Sequence, residues 1–284
     1  MAGSTDTATY DLKLALPLAL FFAAFFLAPL LILIFVSLHT DTSMARMGLT
    51  EYAKFLLDPF SLGVLVHTLW IGVEVTGLCL LLGFPMAWAY VRSPRWAQAA
   101  LILVILLPLL TSVVVRTFAW IVILGRQGIV NTALLDLGLI DSPLRLLYTE
   151  KGMVVALAQV QMPLMVLPLI TALSRLDPNL LDASAALGAG HWRTFRKVIL
   201  PLTFPGIVAG CLLTYAAAIT AFITQTLVGG GQMLFMPMYI YQQSSTLNNW
   251  PFAAAISIIF LVAVLAAVTV FNMLGRLSKG YAQA

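Results

Sequence analysis

Six stretches of this chain are long and apolar enough to cross a hydrocarbon layer, and no water-soluble fold can bury that much apolar surface. A helix rises about 1.5 Å per residue, so about twenty residues with little or no charge match a core about 30 Å thick. The runs cover about 14–38, 64–91, 98–124, 153–174, 202–228 and 252–275. Composition agrees: 61% of the 284 residues are hydrophobic and only 9% charged, against about 25% charged in an average globular chain. The expectation is an all-α, polytopic protein of the lipid bilayer, with its backbone polar groups satisfied inside helices. Its net charge of +4 is spread between the spans with no dense basic run, so nucleic acid is not an expected partner.

Six crossings place both termini on one side. With the N-terminus inside, the inner segments carry Lys13, Arg92, Arg95, Arg175, Arg193, Arg196, Lys197, Arg276 and Lys279, against Arg46, Lys54, Arg126, Arg145 and Lys151 outside. The excess of basic residues belongs in the cytoplasm, so both termini are expected there, in a multi-pass protein of the cytoplasmic (inner) membrane. Short tails at 1–13 and 276–284 then flank one membrane domain, 14–275, which includes a long inner segment at 175–201. The apolar run after Lys13 is too long for a cleaved leader and reads as the first span. Cys79 and Cys211 lie inside apolar runs and read as small buried hydrophobes. The segment Met233 to Tyr241 is too short to span and fits a re-entrant or interfacial element.

The chemistry of catalysis is missing. There is no phosphate-binding glycine loop, no serine elbow and no His-Glu-x-x-His pair. His39, His67 and His191 sit in three different segments, so no metal site is expected. The chain is not expected to be an enzyme, and any energy it uses comes from a partner. Glu74 and Arg116 are the charges well inside spans, where each costs on the order of 2.5–3.5 kcal/mol. Either Glu74 faces a solute pathway, or it pairs with Arg116, or Arg116 reaches toward the outer surface. Trp88, Trp120, Phe222, Tyr239, Tyr241 and Trp250 are further pathway candidates, with belt or packing roles as the alternative.

The inner segment from Leu180 to Pro201 is the most informative. Leu181, Ala185, Gly188, Trp192, Phe195 and Ile199 recur at steps of three and four, which puts them on one helical face. Gly188-Ala189-Gly190 has little bulk and low helix propensity, so two short helices meeting at a turn are expected. Such an element either lies on the inner membrane surface or docks into a partner.

The spacing Asp182-Ala183-Ser184, then Gly188, then Val198-Ile199-Leu200-Pro201 resembles the signature of permease subunits in binding-protein-dependent ATP-binding-cassette importers. Asp182 and Ser184 depart from the usual Glu and Ala but keep the acid and the small volume. Further matching stretches run from His67-Thr68-Leu69 and Leu82-Gly83-Phe84-Pro85 through Arg116-Thr117-Phe118-Ala119-Trp120 and Pro205-Gly206-Ile207-Val208-Ala209-Gly210 to Asn249-Trp250-Pro251. They are most similar to the polyamine-type permeases of that family. The resemblance implies a MetI-like fold with a cytoplasmic coupling helix, formed here by Asp182, Ala183, Ser184, Ala185, Leu187, Gly188, Ala189, Gly190, Trp192 and Phe195. It also implies two cytoplasmic ATPase subunits holding ATP and Mg, a second permease chain and an extracytoplasmic solute-binding protein. The cargo would be a small organic solute, polyamine-like or related to opines and amino acids. A secondary carrier or channel working alone is the rival reading, and would show ion-driven uptake without any ATPase.

Overall fold

The computed structural model describes residues 16–231 and 233–279, with side chains as far as Met273. The expected tail 1–13 and residues 280–284 lie outside these. In order, the helices are α1 (Leu16–Ser37), α2 (Thr50–Leu57), α3 (Pro59–Arg92), α4 (Arg95–Leu110), α5 (Val113–Leu124), α6 (Ile129–Asp136) and α7 (Glu150–Ser174). They continue with α8 (Pro178–Ala186), α9 (His191–Thr194), α10 (Leu200–Ile219), α11 (Phe222–Gly229), α12 (Met236–Tyr241) and α13 (Trp250–Lys279). Six stretches among the described residues are long and apolar enough to cross a membrane. The last helix runs past the expected boundary at 275.

The chain forms two compact units. One takes in residues up to Leu62 together with Ile240–Val262, the other Gly63–Tyr239 and residues from Ala263 on. In the first, the end of α1 is tied to α2 by a 2.7 Å hydrogen bond between Ser37 Oγ and the Tyr52 hydroxyl. Lys54 Nζ lies 4.3 Å above the Phe252 ring, a cation–π contact. Asp58 caps α3, accepting from Ser61 Oγ at 2.6 Å and Ser61 N at 3.0 Å. These bonds hold its carboxyl below the usual carboxylate range, the Ser61 hydroxyl contributing most. The cap is therefore in place at neutral pH and is lost as pH falls through the depressed value.

The second unit is built around α7, whose buried residues include Leu157, Met165 and Leu169. In a bilayer, close packing replaces the hydrophobic drive between helices, so small residues mark the contacts. Gly206 and Gly210 of α10 do this against Pro168, Ala172 and Met165 of α7. Gly83 of α3 faces Met165 and Val166 of α7 in the same way. Cys79 and Cys211 are buried free thiols, as expected.

Two expected spans are corrected. The run 98–124 is not one helix: Thr111 (φ −98°, ψ 147°) and Ser112 (φ −57°, ψ 132°) are extended and separate α4 from α5. The run 202–228 is broken at Thr220 and Ala221, where Ala221 takes φ −75°, ψ 76°. Neither break interrupts the apolar run, because hydropathy averages over backbone conformation.

Candidate functional site

The inner segment folds into an elbow. Asp177 opens α8, its Oδ1 accepting from Asn179 N at 2.9 Å with Pro178 in the first turn. The helix closes with Ala189 N on Ser184 O at 3.0 Å and Gly188 N on Ala185 O at 2.9 Å. That paired closure needs a left-handed residue after the cap, and Gly188 supplies it with φ +75°. The expected pair of short helices meeting at the glycines is present. The single apolar face is not, because the left-handed turn re-aims the chain. Leu181, Ala185, Phe195 and Ile199 turn toward α3, while Leu187 (87% exposed) and Trp192 (73% exposed) point away.

Beyond the turn, α9, a π-turn at Phe195–Ile199 and α10 form one continuous helical stretch, His191–Ile219. The widened turn, with Leu200 N bonded to Phe195 O, lies just before Pro201, whose ring and missing N–H disfavour regular α geometry there. The two limbs of the elbow are tied by Ser184 Oγ and Thr194 Oγ1 at 2.8 Å, which gives the serine a role that alanine could not fill. Replacing Ser184 with Ala removes a bond worth about 0.5–1.5 kcal/mol, so amide exchange across 187–194 should quicken up to about tenfold without loss of protein. Unchanged exchange would mean that the glycine turn alone fixes the elbow.

Between the elbow and the end of α3 lies a cleft of about 640 Å³, lined by Phe84, Trp88 and Arg92 on one side and Leu181, Asp182 and Phe195 among others on the other. Phe195 meets Phe84 edge-on at 5.6 Å and stacks on Trp192 at 5.6 Å. The Arg92 guanidinium sits 4.1 Å above Trp88. Trp88, a pathway candidate by sequence, thus packs beside the elbow.

The second feature is the pair of broken helices. Helices α5 and α11, which follow the two breaks, pack together, with Thr117 Oγ1 3.2 Å from Thr224 Oγ1. At each break a long side chain reaches back to a carbonyl that the interrupted helix leaves without its usual partner. Arg116 donates to the Pro108 carbonyl, which also accepts from Thr111 Oγ1 at 3.2 Å. Gln225 Nε2 donates to the Ala218 carbonyl at 3.0 Å. Sequence reasoning missed Gln225, Thr117 and Thr224.

No ion pair joins Glu74 and Arg116 among the described residues. Glu74 accepts instead from Trp70 Nε1, one turn earlier, at 2.9 Å. Trp120 Nε1 donates to Gln159 Oε1 at 3.1 Å. Tyr239 is buried, whereas Tyr241 and Trp250, in the other unit, are exposed.

Comparison with known proteins matches residues 79–279 to the family described as binding-protein-dependent transport system inner membrane component. The chain is 37% identical over 226 residues to the spermidine/putrescine transport system permease protein PotB of Salmonella typhimurium (strain SL1344), covering 79% of this chain and 78% of that protein. It is 36% identical to PotB of Escherichia coli (strain K12), covering 79% of this chain and 82% of that protein. Among solved structures, a bacterial ABC transporter that imports the acidic polysaccharide alginate superposes with a TM-score of 0.73 at 18% identity, over 95% of this chain and 98% of that chain. That likeness establishes the fold, which is shared with importer permeases.

Proposed function

Because the chain belongs to the binding-protein-dependent transport system inner membrane component family, we propose that it is the permease subunit through which an ATP-driven importer passes a small cationic solute of the polyamine class. The cargo assignment leans on the relatives named for spermidine and putrescine. The chain sits in the inner membrane with both termini cytoplasmic, beside a second permease chain. Two cytoplasmic ATPases bind ATP and Mg, and an outer-face binding protein delivers solute. The permease itself hydrolyses nothing.

The observation that carries this reading is the continuity of His191–Ile219. One end of that helical stretch is the second limb of the elbow, and the other is the break at Thr220. A push on the elbow is therefore delivered along a single rod to the broken region, with no loop to absorb it. The elbow residues Asp182, Ala183, Ser184, Ala185, Leu187, Gly188, Ala189, Gly190, Trp192 and Phe195 form the part that an ATPase grips. Asp182 and Phe195 shape the cleft beneath, and Leu187 and Trp192 present apolar surface outward. Arg116 and Phe222 stand at the two breaks and line the solute path, with Trp120, Glu74 and the aromatics Tyr239, Tyr241 and Trp250 as its further candidates; Trp88 supports the elbow.

The test uses the complete importer in liposomes. Burying one leucine is worth about 1.5–3 kcal/mol, so Leu187→Asp should lower ATPase subunit retention and putrescine uptake at least about tenfold while the permease still inserts. Wild-type retention and uptake in that variant would reject the elbow as the coupling element.

A further inference from the structure

We propose that the two helix breaks together form a subsite for an alkylammonium group, and that the Arg116 guanidinium is its tethered occupant when solute is absent. This deepens the importer reading above and rests on it.

The two breaks belong together. Only one crossing, α7, separates α4–α5 from α10–α11, so the two broken spans run in the same direction. The Thr117–Thr224 contact lies about one turn beyond each break, which sets both at one level. The first break lies between the apolar helix Arg95–Leu110 and the candidate span that begins at Val113, and the second ends the candidate span His191–Ile219. Thr111, Ser112 and Thr220 are exposed there on opened backbone. Irregular backbone inside a membrane is tolerated only where protein covers it or where it lines a water-filled cavity. Paired discontinuous helices with their ends turned toward one another are a known way to build a solute site in a membrane.

The sign of the site follows from its donors and acceptors. Each break joins the carbonyl end of one helix, α4 or α10, to the amide end of the next, α5 or α11, so the two dipoles offset and the groups found there set the sign. The group found on the Pro108 carbonyl is a cation, Arg116. At the other break Gln225 is only 1% exposed, and its Nε2 is committed to the Ala218 carbonyl. That bond fixes the amide orientation, because a carbonyl accepts only from the nitrogen. Gln225 Oε1 is left as a buried acceptor with no donor. An alkylammonium brings three N–H donors, the chemistry that acceptors such as Gln225 Oε1 and the Pro108 carbonyl call for. An anion would satisfy Arg116 Nε, which also lacks a partner, but would leave the buried acceptor Gln225 Oε1 without a donor.

Exchange of one cation for another explains why an arginine belongs here. When solute enters and Arg116 swings away, the charge held at the breaks stays constant, so no additional uncompensated charge is buried at that point. Competition from the tethered guanidinium also keeps solute binding weak, as passage requires.

The experiment measures equilibrium binding of putrescine to the purified complex of this chain with its permease and ATPase partners, without the binding protein. Arg116→Gln should bind putrescine at least about tenfold more tightly than wild type. Arg116→Lys, still cationic, should stay within about threefold of wild type. In the wild-type complex methylguanidinium should compete with putrescine, while tetramethylammonium, which has no N–H, should not. Unchanged or weaker binding in Arg116→Gln overturns the proposal, as does equal competition by the two cations. Should Arg116→Gln fail to assemble, the wild-type competition decides. Absence of putrescine uptake by the intact wild-type importer would sink the cargo reading itself. Normal uptake with variants that bind like wild type would sink only the subsite.

Discussion

A leucine at Gly206 should leave almost no folded permease in the membrane. A Cβ at that position would overlap Ala172 Cβ and stand 2.9 Å from the Pro168 carbonyl oxygen. Backbone cannot rotate aside as a side-chain tip can, so α10 would have to move off α7. Overpacking a soluble core typically costs about 1–3 kcal/mol, and a helix pair held together largely by close packing has little else to offset the loss. The expected cost is at or above the top of that range. Gly210→Leu should behave alike, since a Cβ there would lie 3.0 Å from the Met165 carbonyl oxygen. Gly77→Ala is the control, because among the described residues outside its own helical turn nothing stands within 4 Å of where its Cβ would lie. Size-exclusion profiles and thermal melts of the detergent-purified complex would check the series. A monodisperse Gly206→Leu complex melting like wild type would contradict the packing described for α7 and α10.

The contrast between what could be read from residues and what could not is a contrast of range. Span number and the elbow depend on local properties: apolar run length, and a glycine placed where a helix must end. Both were legible. The breaks at Thr111-Ser112 and Thr220-Ala221 were not, because Thr, Ser and Ala are acceptable inside a membrane helix and leave the hydropathy of each run almost unchanged. What stabilises the breaks is side chains returning to carbonyls, Arg116 to Pro108 and Gln225 to Ala218, and no hydrophobic period encodes such a bond. Glu74 shows the same limit from the other side. Its opposite charge invited a pairing with Arg116, whereas the partner it found, Trp70, stands one helical turn away on its own helix, a spacing the sequence displays openly.

Gly188→Arg should abolish solute-stimulated ATP hydrolysis while leaving insertion intact, and the reason lies in what surrounds the glycine. Among the described residues, apart from its chain neighbours, nothing stands within 4 Å of the position a Cβ would take, so a side chain there meets no obstacle from them. What it does meet is the backbone requirement: at φ +75° an ordinary L-residue costs about 1–2 kcal/mol, with asparagine the usual exception. A graded series separates the two effects. Gly188→Asn keeps the left-handed turn and adds bulk, Gly188→Ala strains the turn and adds little, and Gly188→Arg does both. If the elbow seats in an ATPase groove, Asn should already cut stimulated hydrolysis several-fold and Arg should reduce it to about a tenth or less, with Ala between wild type and Arg. If only the turn matters, Asn should work as well as glycine and Ala should be impaired. Full stimulation in Gly188→Arg would mean that the open space around Gly188 stays open in the assembled transporter, and the elbow could not be the part that the ATPase holds.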